Sequence, residues 1–380
     1  MKTLFSSILA LAMGVTASVA QIPGMMSMPS AQPLEGTSLG ANETIAYDGI
    51  ALGNRVKLRG YVDFIYGYGD LDQVGDDSRF STAGDVDFLV DFSPVTGEVH
   101  LAATTDDITL EQAFARYSFN QDFNLSFGRQ LTNLGYEADE APGLFSVSKG
   151  YFLDAVSEHN GLYQVYNELA SEFNAAVAAG TVVGPARTGD DIKNSLKLRR
   201  NYKDGVRANF NNGQFGLSLG IHDGYWGLND DFNDNIAIDL AASVMIVPGL
   251  EARLGYAHQD LEDSDIGQFN TWIAYNPGDL TLALEFDYFD FDGDSDLWDI
   301  MLLGNYQFTD FFGLTLKYSH EDADNLLPSI DYSSDRFTLA LLFSITQQFG
   351  INFEYSHTEI EIGNVDSDAD EIYLEGLYTF

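Results

Sequence analysis

The chain has no cysteine in 380 residues, which excludes a lipoprotein anchor, a disulfide framework and thiolate metal sites together. Basic residues are scarce: 18 Lys and Arg face 58 Asp and Glu, for a formal net charge of −40. Such a chain repels nucleic acid and anionic surfaces. Beyond residue 20 no apolar run reaches the ~20 residues that a membrane helix needs, so any membrane span there must be made of strands. High net charge often accompanies disorder, but 45% of the residues are hydrophobic and 13% aromatic, with 20 Tyr and 27 Phe. Order and charge coexist when apolar and acidic residues are segregated.

The two ends carry processing and assembly signals. Met1-Lys2, an apolar run from Leu4 to Val15 and the small-residue stretch Ala17-Ser18-Val19-Ala20 read as a secretory signal peptide over residues 1–20. Its removal takes Lys2 and leaves −41. Residues 21–55 are expected to form a periplasmic N-terminal segment ahead of a barrel over 56–380. The last nine residues place an apolar side chain at every second position and end in Tyr378-Thr379-Phe380. This resembles the terminal signal that outer-membrane proteins present to the barrel assembly machinery.

From residue 56 onward the hydrophobic period is two, the mark of strands with one apolar and one polar face. Val86, Phe88, Val90 and Phe92, for example, alternate with Asp85, Asp87 and Asp91. Similar segments fall near 56–68, 84–92, 98–104, 111–119, 123–130, 205–210, 215–222, 235–246, 250–257, 268–276, 280–289, 297–308, 312–319, 336–345, 349–356 and 371–380. That predicts an all-β, transmembrane antiparallel β-barrel of about sixteen strands, within a range of roughly fourteen to eighteen. Connections after even-numbered strands are tight, such as Asn211-Asn212-Gly213 and Val247-Pro248-Gly249, whereas those after odd-numbered strands are mostly longer and acidic. Aromatic residues flank both ends of the strands, as membrane interfaces demand. His258, His320 and His357 follow tyrosines at the loop ends and, by parity, point outward as interface residues.

The opposite parity gives the interior. Lys57, Arg59, Arg116, Arg207, Arg253, Lys317 and Arg336 face inward with Asp63, Asp85, Asp87, Asp91, Glu98, Asp239, Glu251, Glu285, Asp287, Asp299, Glu354 and Glu375. Sixteen strands enclose an aqueous channel where eight would fill their own interior. Such a charged lumen is expected to pass small hydrophilic solutes and ions, with twelve inward acids against seven bases tilting it modestly toward cations. Fifteen of the 18 Lys and Arg lie at or before Arg207, so the later wall is expected to be the more acidic.

One connection breaks the loop-length rule: residues 131–203 form a long third loop on the long-loop side. Leu162, Val165, Tyr166, Leu169, Phe173 and Val177 recur in it at helical spacing. It also carries the basic cluster Lys193, Lys197, Arg199, Arg200 and Lys203, and its position suggests a constriction folded into the pore. The run at 128–142, Gly-Arg-Gln-Leu-Thr-Asn-Leu-Gly-Tyr-Glu-Ala-Asp-Glu-Ala-Pro, resembles the strand-to-loop stretch of the OmpL-like putative β-barrel porins. Gly60-Tyr61-Val62-Asp63 and Gly224-Tyr225-Trp226 fit that family too, while the helical stretch near 153–200 departs from it. The resemblance implies an outer-membrane location, and analogy with sixteen-stranded porins implies a homotrimer.

No nucleophile motif and no cofactor motif is present, so the chain is not read as an enzyme. Weak calcium binding at acidic loops such as Asp290-Phe291-Asp292-Gly293-Asp294 is the one cofactor the sequence admits. Outer-membrane lipid, the assembly machinery and small solutes are the expected partners, with no nucleic acid among them. A non-conducting structural or adhesive barrel is the competing reading. If the terminal strand is the targeting signal and closes the barrel, deleting Phe380 lowers outer-membrane yield and the heat-modifiable gel mobility of the folded form; unchanged assembly would refute that role.

Overall fold

The computed structural model describes residues 50–380, apart from 73–74, 106, 156–163, 180–185, 190–191, 193–197, 200, 227–235, 261–264, 292, 294, 328–329 and 364. After a two-residue strand at Ile50–Ala51, sixteen strands follow: β1 (Val56–Leu71), β2 (Gly75–Phe92), β3 (Val95–Thr104), β4 (Ile108–Ser118), β5 (Phe123–Leu131), β6 (Tyr202–Asn211), β7 (Phe215–Asp223), β8 (Ile236–Val247), β9 (Leu250–Asp260), β10 (Asp265–Tyr275), β11 (Leu280–Phe291), β12 (Ser295–Thr309), β13 (Phe312–Leu327), β14 (Ile330–Ser344), β15 (Phe349–Ile362) and β16 (Val365–Thr379). Each pairs antiparallel with its neighbours in sequence, and β16 pairs with β1, so the sheet closes on itself. The proposed signal peptide and most of the N-terminal segment lie outside the described residues.

All sixteen expected segments are strands, but the strands run longer than the sequence pattern implied, reaching 18 residues in β2 and 16 in β13. The extra length lies at the loop rim. The run Glu321-Asp322-Ala323-Asp324-Asn325, expected to be an acidic loop, belongs to β13 and pairs with β12. Alternation fades there because side chains beyond a bilayer need not be apolar on the outer face, while the backbone ladder continues regardless of side-chain type.

Burial along the strands is the reverse of a water-soluble protein's. In β7 the apolar Phe215, Leu217, Leu219 and Ile221 are 48–52% exposed, whereas Ser218 and His222 are fully buried. The same inversion recurs in β8, where Ile236, Ile238 and Leu240 are exposed and Asp239 is buried. Water would not tolerate such an outer surface, and hydrocarbon would. Aromatic exposure follows the expected girdles: Phe92, Phe119, Phe210, Phe215 and Phe308 stand exposed at the short-turn rim and Tyr256, Tyr288, Tyr318 and Tyr355 toward the other.

The seam shows how the last residue closes the ring. The N–H of Phe380 donates to the Gly60 carbonyl and the Gly60 N–H donates back to Phe380, both at 3.0 Å. The Phe380 ring lies beside the outward Tyr378 ring, 6.1 Å between centroids, and covers Gly60. A Cβ on Gly60 would meet Phe380 Cζ at 2.9 Å and collide with the Asp85 carbonyl. Gly60→Val is therefore expected to cost about 1–3 kcal/mol through overpacking at the seam. Urea titration of the folded barrel in detergent measures it, with Gly304→Val, in a strand position where an added Cβ would meet only Leu282 Cδ2 at 3.6 Å, as a control that separates seam crowding from loss of glycine itself.

Candidate functional site

The chain leaves β5 at Leu131 and turns into the barrel. Inward arginines catch its first carbonyls: Arg207 Nη2 donates to Leu131 O at 2.9 Å and Arg253 Nη2 to Asn133 O at 2.5 Å. The loop then crosses toward the later strands, where its own backbone N–H groups meet a row of inward carboxylates. Tyr136 N donates to Glu285 of β11 at 2.6 Å, Val147 N to Glu354 of β15 at 2.6 Å, and Phe152 N to Glu321 of β13 at 2.8 Å. Ser148 N and Leu153 N add second donors to Glu354 and Glu321, at 3.1 and 3.2 Å. An irregular backbone survives inside a barrel only if its polar groups find such partners. Each carboxylate here is solvated by peptide dipoles in place of water.

Arg199 supplies the charge for this nest. It pairs with Asp299 of β12, with Asp154 at 2.9 Å, and approaches Asp287 and Glu321 at 3.9 Å, while its guanidinium lies 4.0 Å over the Tyr151 ring. Burial works against the Arg199 charge, but Asp299, Asp154 and Asp287 hold its pKa well above the ordinary value. Burial, reinforced by neighbouring acids, pushes the Tyr136 and Tyr151 hydroxyls upward, so both stay neutral. Lys317 Nζ donates to Glu137 at 2.8 Å and to Ser148 O at 2.7 Å, and Arg336 pairs with Glu371 and donates to Ser148 Oγ at 2.9 Å. Gly150 sits so close to β12 that a side chain there would run into Met301 Sδ.

Apolar packing holds the described helices of the loop. Helix α1 (Phe152–Ala155) is a single turn and α2 (Gln164–Ala179) spans four. Of the expected stripe Tyr166, Leu169 and Phe173 are buried and Val177 packs against the same cluster, with Ala170 buried beside them, while Leu162 and the side chain of Val165 lie outside the described residues. Their partners include the inward Phe289, Leu297, Ala323, Tyr332 and Ile360 of the barrel, each such burial contributing ~1.5–3 kcal/mol for a large side chain. Tyr225 and Trp226 enter from the end of β7 and donate backbone N–H groups to Gln259 Oε1 at 2.7 and 3.0 Å.

Arg59, Asp63, Asp85, Asp87, Glu98, Arg116, Arg207, Asp239, Arg253, Glu285, Asp287, Asp299, Lys317, Arg336, Glu354 and Glu375 are all buried on the inner face. Lys57 and Asp91 are exposed near the short-turn rim, and Glu251 is half-buried. In the basic cluster Arg199 and Lys203 are buried, whereas Lys193, Lys197 and Arg200 lie outside the described residues, as do Asp292 and Asp294 of the acidic turn. Buried acids outnumber buried Lys and Arg on the later wall, where Arg199, Lys317, Arg336 and loop N–H groups meet them. Sequence reading missed His100, His222, Gln112, Glu140, Glu321 and Glu371, all buried. His100 shares parity with Glu98, and His222 with Ser218, so strand parity alone could have found both.

The outward histidines repeat one motif. His320 Nδ1 and Tyr318 Oη share Asp335 Oδ1 across the β13–β14 ladder, and His357 Nδ1 and Tyr355 Oη share Asp370 Oδ1 across β15–β16. His258 departs, pairing with Asp260 two residues on in its own strand at 3.0 Å.

On the earlier wall a second polar cluster surrounds His100. Arg59 Nε donates to Asp87 Oδ2 at 2.9 Å, and Arg116 lies 3.6 Å from Glu98. Glu140, which precedes the short 3-10 turn Ala141–Gly143 of the loop, reaches within 3.8 Å of His100. The loop thus touches both walls.

The architecture has solved counterparts. The in-vitro folded outer-membrane protein OmpT of Vibrio cholerae superposes with a TM-score of 0.55 at 13% identity, over 88% of this chain and 100% of that one. An anion-selective porin from Comamonas acidovorans gives 0.55 at 16% identity over 86% and 99%, and Salmonella typhi OmpF gives 0.53 at 10% over 85% and 98%. The fold is that of the outer-membrane porins. No protein-family model and no curated protein matches the sequence.

Removing Arg199 leaves Asp299, Asp287 and Glu321 buried without their cation. Arg199→Met is expected to destabilise the loaded loop by about 3–5 kcal/mol, the usual cost of breaking a buried ion pair. Limited proteolysis should then cleave the loop while the barrel keeps its heat-modifiable mobility; a loop as resistant as before would show that apolar packing alone holds it.

Proposed function

We propose that the chain is an outer-membrane porin through which small hydrophilic solutes and ions diffuse, with a modest preference for cations. The observation that carries this reading is the inner face: a closed sixteen-strand barrel with an apolar exterior and an interior of paired charges, entered by one long loop. Among the described residues, thirteen buried acids face eight buried Lys and Arg, an excess that favours cations. The residues named above as inward would line the passage, and residues 131–203 would set its width. Tyr378 and Phe380 would serve as the assembly signal read by the barrel assembly machinery.

The run at 128–142 supports membership of the OmpL-like porins. A neighbouring fold, OmpT of Vibrio cholerae, is described in a trimer form, which supports a homotrimer here. Outer-membrane lipid would surround the exposed Leu, Ile and Phe belt.

Planar-bilayer recording tests the reading directly. In a KCl gradient the reversal potential should show cation preference, weakening as salt rises because screening acts over about 8 Å at physiological ionic strength. Anion preference would mean that Arg59, Arg116 and Arg207 dominate the narrow zone, and absence of conductance would favour a structural or adhesive barrel. Replacing residues 155–195 by a short Gly-Ser linker should raise single-channel conductance; unchanged conductance in a normally assembled barrel would show that this part of the loop does not set the pore.

A further inference from the structure

We propose that Asp85, Asp87, His100 and Glu140 form a site for a divalent transition-metal ion that fastens the long loop to the barrel wall. Asp85 and Asp87 project inward from β2, and His100 is the direct cross-strand partner of Asp87 on β3. One donor atom from each of these three lies within 4.8 Å of the other two. Glu140 arrives from the loop, its Oε1 3.8 Å from His100 Nδ1, while Asp87 Oδ1 is 2.9 Å from the same nitrogen. Bonds of about 2.0–2.1 Å in a tetrahedral site place donors ~3.3 Å apart, a spacing those two distances bracket.

The surroundings orient the donors as a metal would require. His100 Nε2 lies 3.1 Å from Glu98 Oε2, so its N–H is donated there. Gln112, whose Oε1 accepts from the Leu131 N–H at 3.1 Å, turns its NH2 toward His100 Nδ1 at 3.2 Å, the nitrogen that Asp87 Oδ1 and Glu140 Oε1 also face and that a metal ion would require unprotonated. A carboxylate holding the far nitrogen of an imidazole is the usual outer support of a metal-bound histidine. Arg59 plays the same part for Asp87, taking Oδ2 and leaving Oδ1 toward Nδ1.

Two further observations point to a cation. Both oxygens of Asp85, a side chain 1% exposed, lack a hydrogen-bond partner among the described residues; Glu140, 5% exposed, makes no hydrogen bond there either and has only His100 Nδ1 near it at 3.8 Å, the nitrogen that Asp87 Oδ1 faces at 2.9 Å. Buried carboxylate oxygens left so are expensive unless something positive meets them. The groups are unequal in number: the four carboxyl groups of Asp85, Asp87, Glu98 and Glu140 share the two guanidinium groups of Arg59 and Arg116, and Glu111 of β4 adds a fifth carboxyl beside them. One imidazole with carboxylates suits zinc or its first-row neighbours, whereas calcium takes oxygen donors alone. The exposed cluster of His258, Asp260 and Asp265 has no such support and serves as the control.

The test uses the full barrel folded in detergent, stripped with a chelator and dialysed against Zn2+, with bound zinc measured by atomic spectroscopy. One ion per chain should survive dialysis against buffer. It should be lost in His100→Gln/Glu140→Gln, held about 10–100-fold more weakly in Glu98→Gln, and kept in His258→Ala. Wild-type protein without zinc, or equal zinc in the double variant, overturns the proposal. If the double variant does not fold, Co2+ in the wild-type protein decides: visible bands of nitrogen–oxygen coordination support the site, and a spectrum unchanged from aqueous Co2+ overturns it.

Discussion

Every feature of this molecule depends on the requirement that a backbone in an apolar medium pair all its N–H and C=O groups. A single sheet meets it only by closing, and here closure falls to the ladder between β16 and β1. Once the ring is closed, strand alternation has two fixed destinations. One set of side chains must suit hydrocarbon and the other must suit the interior, which is why Leu217 and Leu219 are exposed while Ser218 between them is fully buried.

The interior presents the opposite problem, since a carboxylate on the inner wall loses water if anything fills the barrel. The long loop turns that cost into attachment. Its N–H groups at Tyr136, Val147, Ser148, Phe152 and Leu153 bind Glu285, Glu354 and Glu321, and Arg199 binds the acids between them. Removing either partner strands the other in a low-dielectric space, so wall and loop are energetically one unit. Apolar contacts of α2 with Phe289 and Tyr332 add affinity without direction; the hydrogen bonds supply the register.

Much of this was legible in the chain. Period-two alternation located all sixteen strands, and the rule that inward and outward faces alternate placed Arg59, Asp87, Glu285 and Arg336 on the correct side. Helical spacing foretold the buried face of α2. The strand ends at the loop rim were not legible, because outside the bilayer the residues of β13 no longer alternate between apolar and polar while its backbone remains paired. The partners of the inward charges were hidden too: that Glu321 meets Phe152 N, 169 residues away, is a matter of loop path.

What the sequence alone determined is the wall: strand number, face assignment, girdles and the excess of inward acid, since each follows from local periodicity and composition. Only the tertiary structure decided what the wall encloses. The crossing of the loop, the nest around Arg199 and the meeting of Glu140 with His100 join residues far apart in the chain, and no local pattern encodes a contact made across the interior of a closed barrel.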